Sequence, residues 1–264
     1  MKKIASRQNP LFRLLRQLAN SPQARRKSSH TVLDGIHLCQ AYLAQPGSPL
    51  YCVVSEKAKE VPEIRAIVDV CLSRQVDVIE LDSAMYADIA QVEEGQGVLF
   101  VIDVPVLSLP DKIEDTVVFL DRIQDPGNLG SILRSAASAG ITKVFCSAGS
   151  ASAWSPRVLR AGMGAHFVCH IYENADLLAL TDALTIDVIA TTPVAQASIY
   201  EYDLRGSVAW VFGHEGQGIC EVLLSKAQVH LSIPQHPLSN SLNVAASAAI
   251  CFFEQLRQKH FGQN

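Results

Sequence analysis

Three stretches of this 264-residue chain gather small polar residues of the kind that hold ligands, two of them together with glycines and charged side chains. In 121–136, DRIQDPGNLGSILRSA, Gly127 and Gly130 allow close backbone approach, and Arg134 stands on the helical run that opens after Asn128. A guanidinium one turn beyond a glycine-containing loop suits the gripping of a phosphate or a ribose hydroxyl with its fork of donors. In 210–219, WVFGHEGQGI, Glu215 is a carboxylate framed by glycines. It can accept hydrogen bonds from a bound group or an Arg, or simply cap the next helix. In 227–256, Ser239, Asn240, Ser241 and Asn243 precede an apolar helix, more polar side chains than one N-cap requires. That excess points to a binding site.

The elements around these stretches follow from hydrophobic period. Residues 229, 231 and 233 alternate with polar neighbours as in a strand, and residues 244–256 recur at steps of three and four as in an amphipathic helix. Two of the loops come straight after apolar runs at 117–120 and 208–212, where open α/β sheets build their ligand crevices. In the first half, residues 11–18 predict a short helix and 20–30 a basic loop. Strands are expected at 31–33, 50–54, 76–81 and 98–102, with helices near 36–44, 60–73 and 83–90. In the second half, strands are expected at 117–120, 143–146, 187–191, 208–212 and 228–233, with 166–171 also reading as a strand. Pro105, Pro110 and the acidic residues 111–115 place a boundary between a domain over 1–105 and one over 115–264. The alternation describes a small α/β domain followed by a mostly parallel sheet with helices on both faces.

Composition removes several classes. Seven scattered cysteines without a C-x-x-C pair indicate reduced thiols rather than disulfides or a zinc knuckle. His166 and His170 flank Cys169 but lack a third ligand, so no metal is expected. HExxH, P-loop and G-x-S-x-G motifs are absent, and the glycine order at 213–218 is the reverse of a dinucleotide fingerprint. No segment carries eighteen uninterrupted apolar residues, so neither membrane nor export is expected and cytoplasmic residence is. Trp154 and Trp210 read as core residues. The net charge of -4 hides a local excess: the first thirty residues hold only basic charges, among them Arg7, Arg13, Arg25, Arg26 and Lys27. Such a segment suits a phosphate backbone.

The blocks at 121–136, 155–167 (SPRVLRAGMGAHF), 210–219 and 232–250 (SIPQHPLSNSLNVAASAAI), in that order, resemble the SpoU (TrmH-like) family of RNA 2'-O-ribose methyltransferases in the SPOUT class. The first half looks like that family's small α/β RNA-binding domain. The resemblance implies a deep trefoil knot in the second half, a homodimer with shared active sites, and S-adenosyl-L-methionine as cofactor. It implies a cofactor pocket made by Gly213, Gly218, Ile233 and Leu242, with Thr191 and Thr192 at its edge. Catalytic and RNA-facing positions match Asn128, Arg134, Glu215, Ser241 and Asn243, with Arg134 assisting the ribose hydroxyl. Gln235 stands where the family often has Met, His236 and Pro237 replace a glycine-bearing turn, and Ala245 replaces a frequent Ser.

The reaction implied is in-line displacement at a sulfonium methyl, which needs alignment more than a metal or a covalent intermediate. The RNA is expected to be ribosomal rather than transfer RNA, by family analogy. A noncatalytic RNA-binding or ribosome-assembly protein with a degenerate cofactor pocket is the alternative, separated by whether S-adenosylmethionine binds.

Overall fold

The computed structural model of the chain describes residues 1–90, 96–236 and 241–261, the Phe261 side chain excepted. The chain divides into two compact units, Met1–Val106 with Trp154–Phe167, and Leu107–Ala153 with Val168–Asn264.

The first unit runs β1 (Lys2–Ile4), α1 (Pro10–Asn20), α2 (Pro22–Ser28), β2 (His30–Asp34), α3 (Ile36–Leu43), β3 (Tyr51–Ser55), α4 (Pro62–Ser73), β4 (Asp77–Leu81), α5 (Ser83–Ala87) and β5 (Val98–Asp103). Its sheet has the order β1-β4-β3-β5-β2, with β1 and β3 parallel to β4 and β5 antiparallel to β3 and β2. Helix α1 forms because Asn9 caps it, Pro10 opens it, and Phe12, Leu15, Leu18 and Ala19 share the buried face. The 20–30 segment, expected as a loop, contains α2. Its capping Ser21 and Pro22 are in the sequence, but none of its residues is buried, so no apolar period announces it. Strand β1 escapes the pattern for the same reason, since only Ile4 of it is buried.

The second unit carries β6 (Val117–Asp121), α6 (Pro126–Ser138) and β7 (Lys143–Cys146). The chain then contributes α7 (Pro156–Gly162) to the first unit, where Thr31 Oγ1 donates to the Trp154 carbonyl at 2.7 Å. It resumes the second unit with β8 (His170–Tyr172), α8 (Leu177–Leu180), β9 (Asp187–Thr191), β10 (Val208–Gly213), α9 (Glu221–Leu224), β11 (Val229–Leu231) and α10 (Val244–Phe261). Among the described residues the sheet has six strands in the order β11-β9-β10-β6-β7-β8, and every pairing is parallel. All of β6 and all but the last residue of β10 are buried, which explains their unbroken apolar runs. Phe119 meets Phe145 edge-on at 5.5 Å, and Phe252 of α10 meets Phe212 edge-on at 5.6 Å. Trp154 and Trp210 are both buried, as their isolation in the sequence suggested.

The 166–171 expectation needs correction. Met163 and Gly164 take the left-handed region, a 3-10 turn follows at Ala165–Phe167, and pairing starts only at His170. Buried His166 lies edge-on to Trp154 at 5.2 Å, so its side chain is part of a packed core. The strand expected over 228–233 pairs with β9 over Val229–Leu231, and Ser232 continues it with a single parallel bridge to Ser198.

Candidate functional site

Parallel registry places the chemistry. Gly213 at the end of β10 lies opposite Asp121 at the end of β6, and β9 pairs on the other side of β10, bringing Thr191 to the same edge. The loops leaving these strands, together with the start of α10, surround a cavity of about 420 Å³. Its lining includes Thr191, Thr192, Gly213, Gly218, Ile233 and Leu242, and also Glu215, Ser241 and Asn243. Nine of the residues singled out in the sequence therefore meet at one place.

The 213–218 loop is folded tightly upon itself. A Cβ on Gly213 would sit 2.2 Å from Gly218 C and Ile219 N, so only glycine lets the returning backbone pass. Gly218 itself has φ of 70°, the left-handed region. His214 Nδ1 accepts from the Gly216 and Gln217 amides at 2.9 and 3.1 Å, which requires its lone pair there and fixes the ring proton on Nε2.

Glu215 is joined to the first motif by three donors. Gln124 N, Asp125 N and Asn128 Nδ2 reach its carboxylate at 3.3, 3.1 and 3.1 Å. Burial works against the charge, but the Asn128 amide and the backbone donors outweigh it and hold the carboxyl below its ordinary range. The side chain is thus an ionised brace with its lone pairs engaged. Asn128 continues the chain of contacts: its Oδ1 accepts from Asn243 Nδ2 at 2.9 Å. Asn243 Oδ1 in turn accepts from Ala245 N and Ala246 N at 2.9 and 3.2 Å, which makes Asn243 the N-cap of α10. One asparagine starts the helix and ties it to the other two loops. Ser239, Asn240 and Pro237 lie outside the described residues.

Arg134 is placed elsewhere. It is exposed on α6, six residues beyond Asn128, does not line the cavity, and makes no hydrogen bond or ion pair among the described residues. In the first unit, Arg7 pairs with Asp88 at 2.8 Å, and Arg13 donates to the Gln8 side chain. Arg25 donates to the carbonyls of Leu18 and Ala19 at the end of α1. Arg26 and Lys27 are exposed and make no such contact among the described residues.

Several residues of the site had no signal in the spacing of motifs. Pro193, Phe212, His214, Gln235, Val244 and Ser247 also line the cavity. Asp121, buried at the end of an apolar strand, accepts from Cys220 N at 2.8 Å and so holds the far end of the glycine loop. A charge closing an otherwise apolar run was the available clue. Among the described residues, no group of three or more His, Cys, Asp or Glu side chains is arranged to hold a metal ion. Cys169 instead directs its thiol at the carbonyls of Leu133 and Ile141, and burial pushes that thiol up to about 11.

A parallel α/β sheet with a glycine-rich cleft at its strand carboxyl ends defines a class of small-ligand-binding proteins. The particular family follows from comparison. The model of the SpoU rRNA methylase family matches residues 115–253, and the chain belongs to that family. It is 30% identical to an uncharacterized tRNA/rRNA methyltransferase of Synechocystis over 97% of this chain and 94% of the relative. It is 27% identical to the 23S rRNA (guanosine(2553)-2'-O)-methyltransferase RlmP of Bacillus subtilis, over 96% of this chain and 98% of that protein. The crystal structure of an rRNA methyltransferase from Sinorhizobium meliloti superposes with a TM-score of 0.84 at 25% identity, covering 98% of each chain.

Proposed function

We propose that the chain transfers a methyl group from S-adenosyl-L-methionine to a ribose 2'-hydroxyl of RNA, ribosomal RNA before transfer RNA. The observation that carries this reading is the Glu215–Asn128–Asn243 chain of hydrogen bonds on the wall of a glycine-lined cavity. Membership of a methylase family supports the reaction.

The residues present suit the cofactor. A cavity of about 420 Å³ falls within the usual range for small-molecule sites, about 300–1,000 Å³. Gly213 and Gly218 bare backbone groups, Ile233 and Leu242 supply apolar contact, and Thr191 and Thr192 stand at the edge. When bound, S-adenosylmethionine supplies an electrophilic sulfonium methyl. The chain's own work is to orient and to exclude water. Thr191 is fixed by its hydroxyl donating to the Val211 carbonyl at 3.2 Å, and Leu242 and Asn243 are carried by the start of α10. Asn243 and Ser241 line the cavity where the RNA would enter, Asn128 lies outside the lining and orients Asn243, and Glu215 keeps Asn128 from turning.

Arg134 enters through a second copy in this reading. Its side chain is uncommitted and outside its own cavity, and α10, which packs on α6, exposes Phe253 as apolar surface for association. A homodimer with shared sites would let Arg134 of one copy hold the ribose and phosphate at the cavity of the other. A guanidinium keeps its proton, so this is positioning rather than proton removal. Of Arg7, Arg13, Arg25, Arg26 and Lys27, Arg26 and Lys27 are the two whose exposed side chains are uncommitted and so free to meet the RNA backbone. The second unit is inferred to follow the family's deep trefoil knot. Cytoplasmic residence accords with seven free thiols, six of them buried. Among the described residues no helix is long and apolar enough to cross a membrane.

The test is to map ribose 2'-O-methylation in RNA from cells with and without the gene, and to follow methyl transfer from S-adenosylmethionine in vitro. Loss of one ribosomal RNA site on deletion is expected. Unchanged transfer by a folded Arg134→Ala variant would remove that residue from the site.

A further inference from the structure

Asp121 and Arg122 sit at the carboxyl end of β6, behind the glycine loop rather than in the cavity lining. Burying a carboxylate is costly unless donors satisfy it. Asp121 has four. Arg122 offers Nε to Oδ1 at 3.1 Å and Nη2 to Oδ2 at 3.2 Å, Cys220 N donates to Oδ2 at 2.8 Å, and the Ser147 hydroxyl reaches Oδ1 at 3.4 Å. Arg122 Nη1 also donates to Gln217 Oε1 at 2.9 Å. To point this way Arg122 takes φ of 57°, a left-handed conformation that side chains other than glycine seldom adopt. Its amide is held there by Ser147 Oγ at 2.8 Å.

The glycine loop needs such support, because residues 215–218 are exposed and bury nothing of their own. Glu215 fixes its outward arm to 124–128, whereas Asp121 and Arg122 take its return arm at Gln217 and Cys220. We propose that Asp121 and Arg122 are positioning residues for methyl transfer, holding the 213–220 loop in the conformation that receives S-adenosylmethionine. This rests on the methyltransferase reading. The backbone strain at Arg122 is the cost of aiming one guanidinium at both a buried carboxylate and the loop.

The experiment compares wild type with Arg122→Gly, Arg122→Lys and Asp121→Asn. Glycine relieves the strained φ but leaves buried Asp121 without its guanidinium donors, so a purely structural role predicts a less stable protein with unchanged KM. Positioning predicts otherwise: KM for S-adenosylmethionine rises about tenfold if the competent loop conformation falls to about a tenth of the population, with kcat at saturation changed less than twofold. Hydrogen exchange should accelerate at the amides of 216–220 and stay slow in β6 and β10. Arg122→Lys should recover part of the affinity. Should Asp121→Asn fail to fold, Arg122→Gly decides alone. Wild-type KM and unchanged loop exchange in Arg122→Gly would overturn the proposal. Absence of S-adenosylmethionine binding to the wild type would instead sink the methyltransferase reading, and the exchange measurement would still decide whether the pair holds the loop.

Discussion

The two ends of the six-stranded sheet hold cavities of nearly equal size, about 420 Å³ at the strand carboxyl ends and about 410 Å³ at the amino ends. They are built from different materials. The amino-end cavity is lined by Thr116, the end of α6 at Ser138, Ala139 and Gly140, and the last turns of α10, including Gln255 and Lys259. Its polar groups turn to one another: Gln255 accepts from Trp210 Nε1 and donates to the Gly206 carbonyl, each at 2.9 Å, and Lys259 donates to Thr116 Oγ1 at 3.3 Å. Burial there lowers the Lys259 pKa. At the carboxyl end the polar groups bind loop to loop around the cavity and leave glycine backbone facing it. Size alone does not mark a site; what its polar groups are already committed to does.

The largest expected effect breaks the carboxyl end directly. Gly213→Ala places a methyl 2.2 Å from backbone atoms of Gly218 and Ile219, which cannot move aside as a side-chain tip would. A shift of about 1 Å in the positioning of reacting groups costs on the order of 100-fold in rate, so methyl transfer from S-adenosylmethionine should drop by about that factor, with calorimetric affinity falling alongside it. Gly140→Ala at the other end is the control. Gly140 has φ of 77° with nothing within 4 Å of its absent Cβ, so alanine should cost about 1 kcal/mol of stability and leave affinity unchanged.

Asn243 separates the two tasks that meet in one residue. Asn243→Asp keeps an N-cap acceptor of equal quality, so thermal stability should stay within about 0.5 kcal/mol. The donor to Asn128 Oδ1 is lost, and methyl transfer should fall roughly 10- to 100-fold in kcat. Equal losses of stability and turnover would show that the residue matters only as a cap.

The amino end should answer to stability alone. Gln255→Leu strands the buried Trp210 indole N–H and removes the donor to the solvent-exposed Gly206 carbonyl, at a cost of about 1–3 kcal/mol, read from urea unfolding and owed to the indole. Methyl transfer by the folded fraction should match wild type. A rise in KM or a fall in kcat would show that the two ends are coupled through β10 and α10.

Much of the carboxyl end was legible in the sequence because polar residues there interrupt strong apolar patterns. Gly213, Glu215 and Asn243 each stand where a strand or helix should have carried a neutral structural residue, and the resemblance of whole blocks tied them together. Asp121 was not singled out, because it closes a run that reads as strand, and Cys220, whose amide it accepts from, lies almost a hundred residues away. Strand order was equally unreadable: in parallel sheets the neighbours of β10 are set by crossovers, not by local pattern. Helix α2 was missed since its helicity rests on Ser21 and Pro22 rather than on a buried face. Arg134 was singled out in the sequence, but its exposed position on α6, outside the cavity lining, was not legible there.

The smallest effect at neutral pH, and the sharpest test of what separates the ends, is acid titration. Glu215 and Asp121 are both held below their ordinary values of 4.5 and 3.8: burial opposes the charge in each, and the Asn128 amide at Glu215 and the Arg122 fork at Asp121, with backbone donors, override it. A depressed carboxyl contributes stability above its ordinary pKa and loses it as pH falls through the lowered one. Affinity for S-adenosylmethionine should therefore be flat from neutral pH down to the ordinary carboxyl values and fall only beneath them, as the two braces of the 213–220 loop protonate. Among the described residues the amino-end cavity has no carboxylate in its lining, so exchange of amides around Gly206 and Thr116 should not follow the same curve. Glu215→Gln should flatten the acid limb in part and Asp121→Asn the remainder. An acid limb unchanged in both variants would place the titrating group outside the two braces.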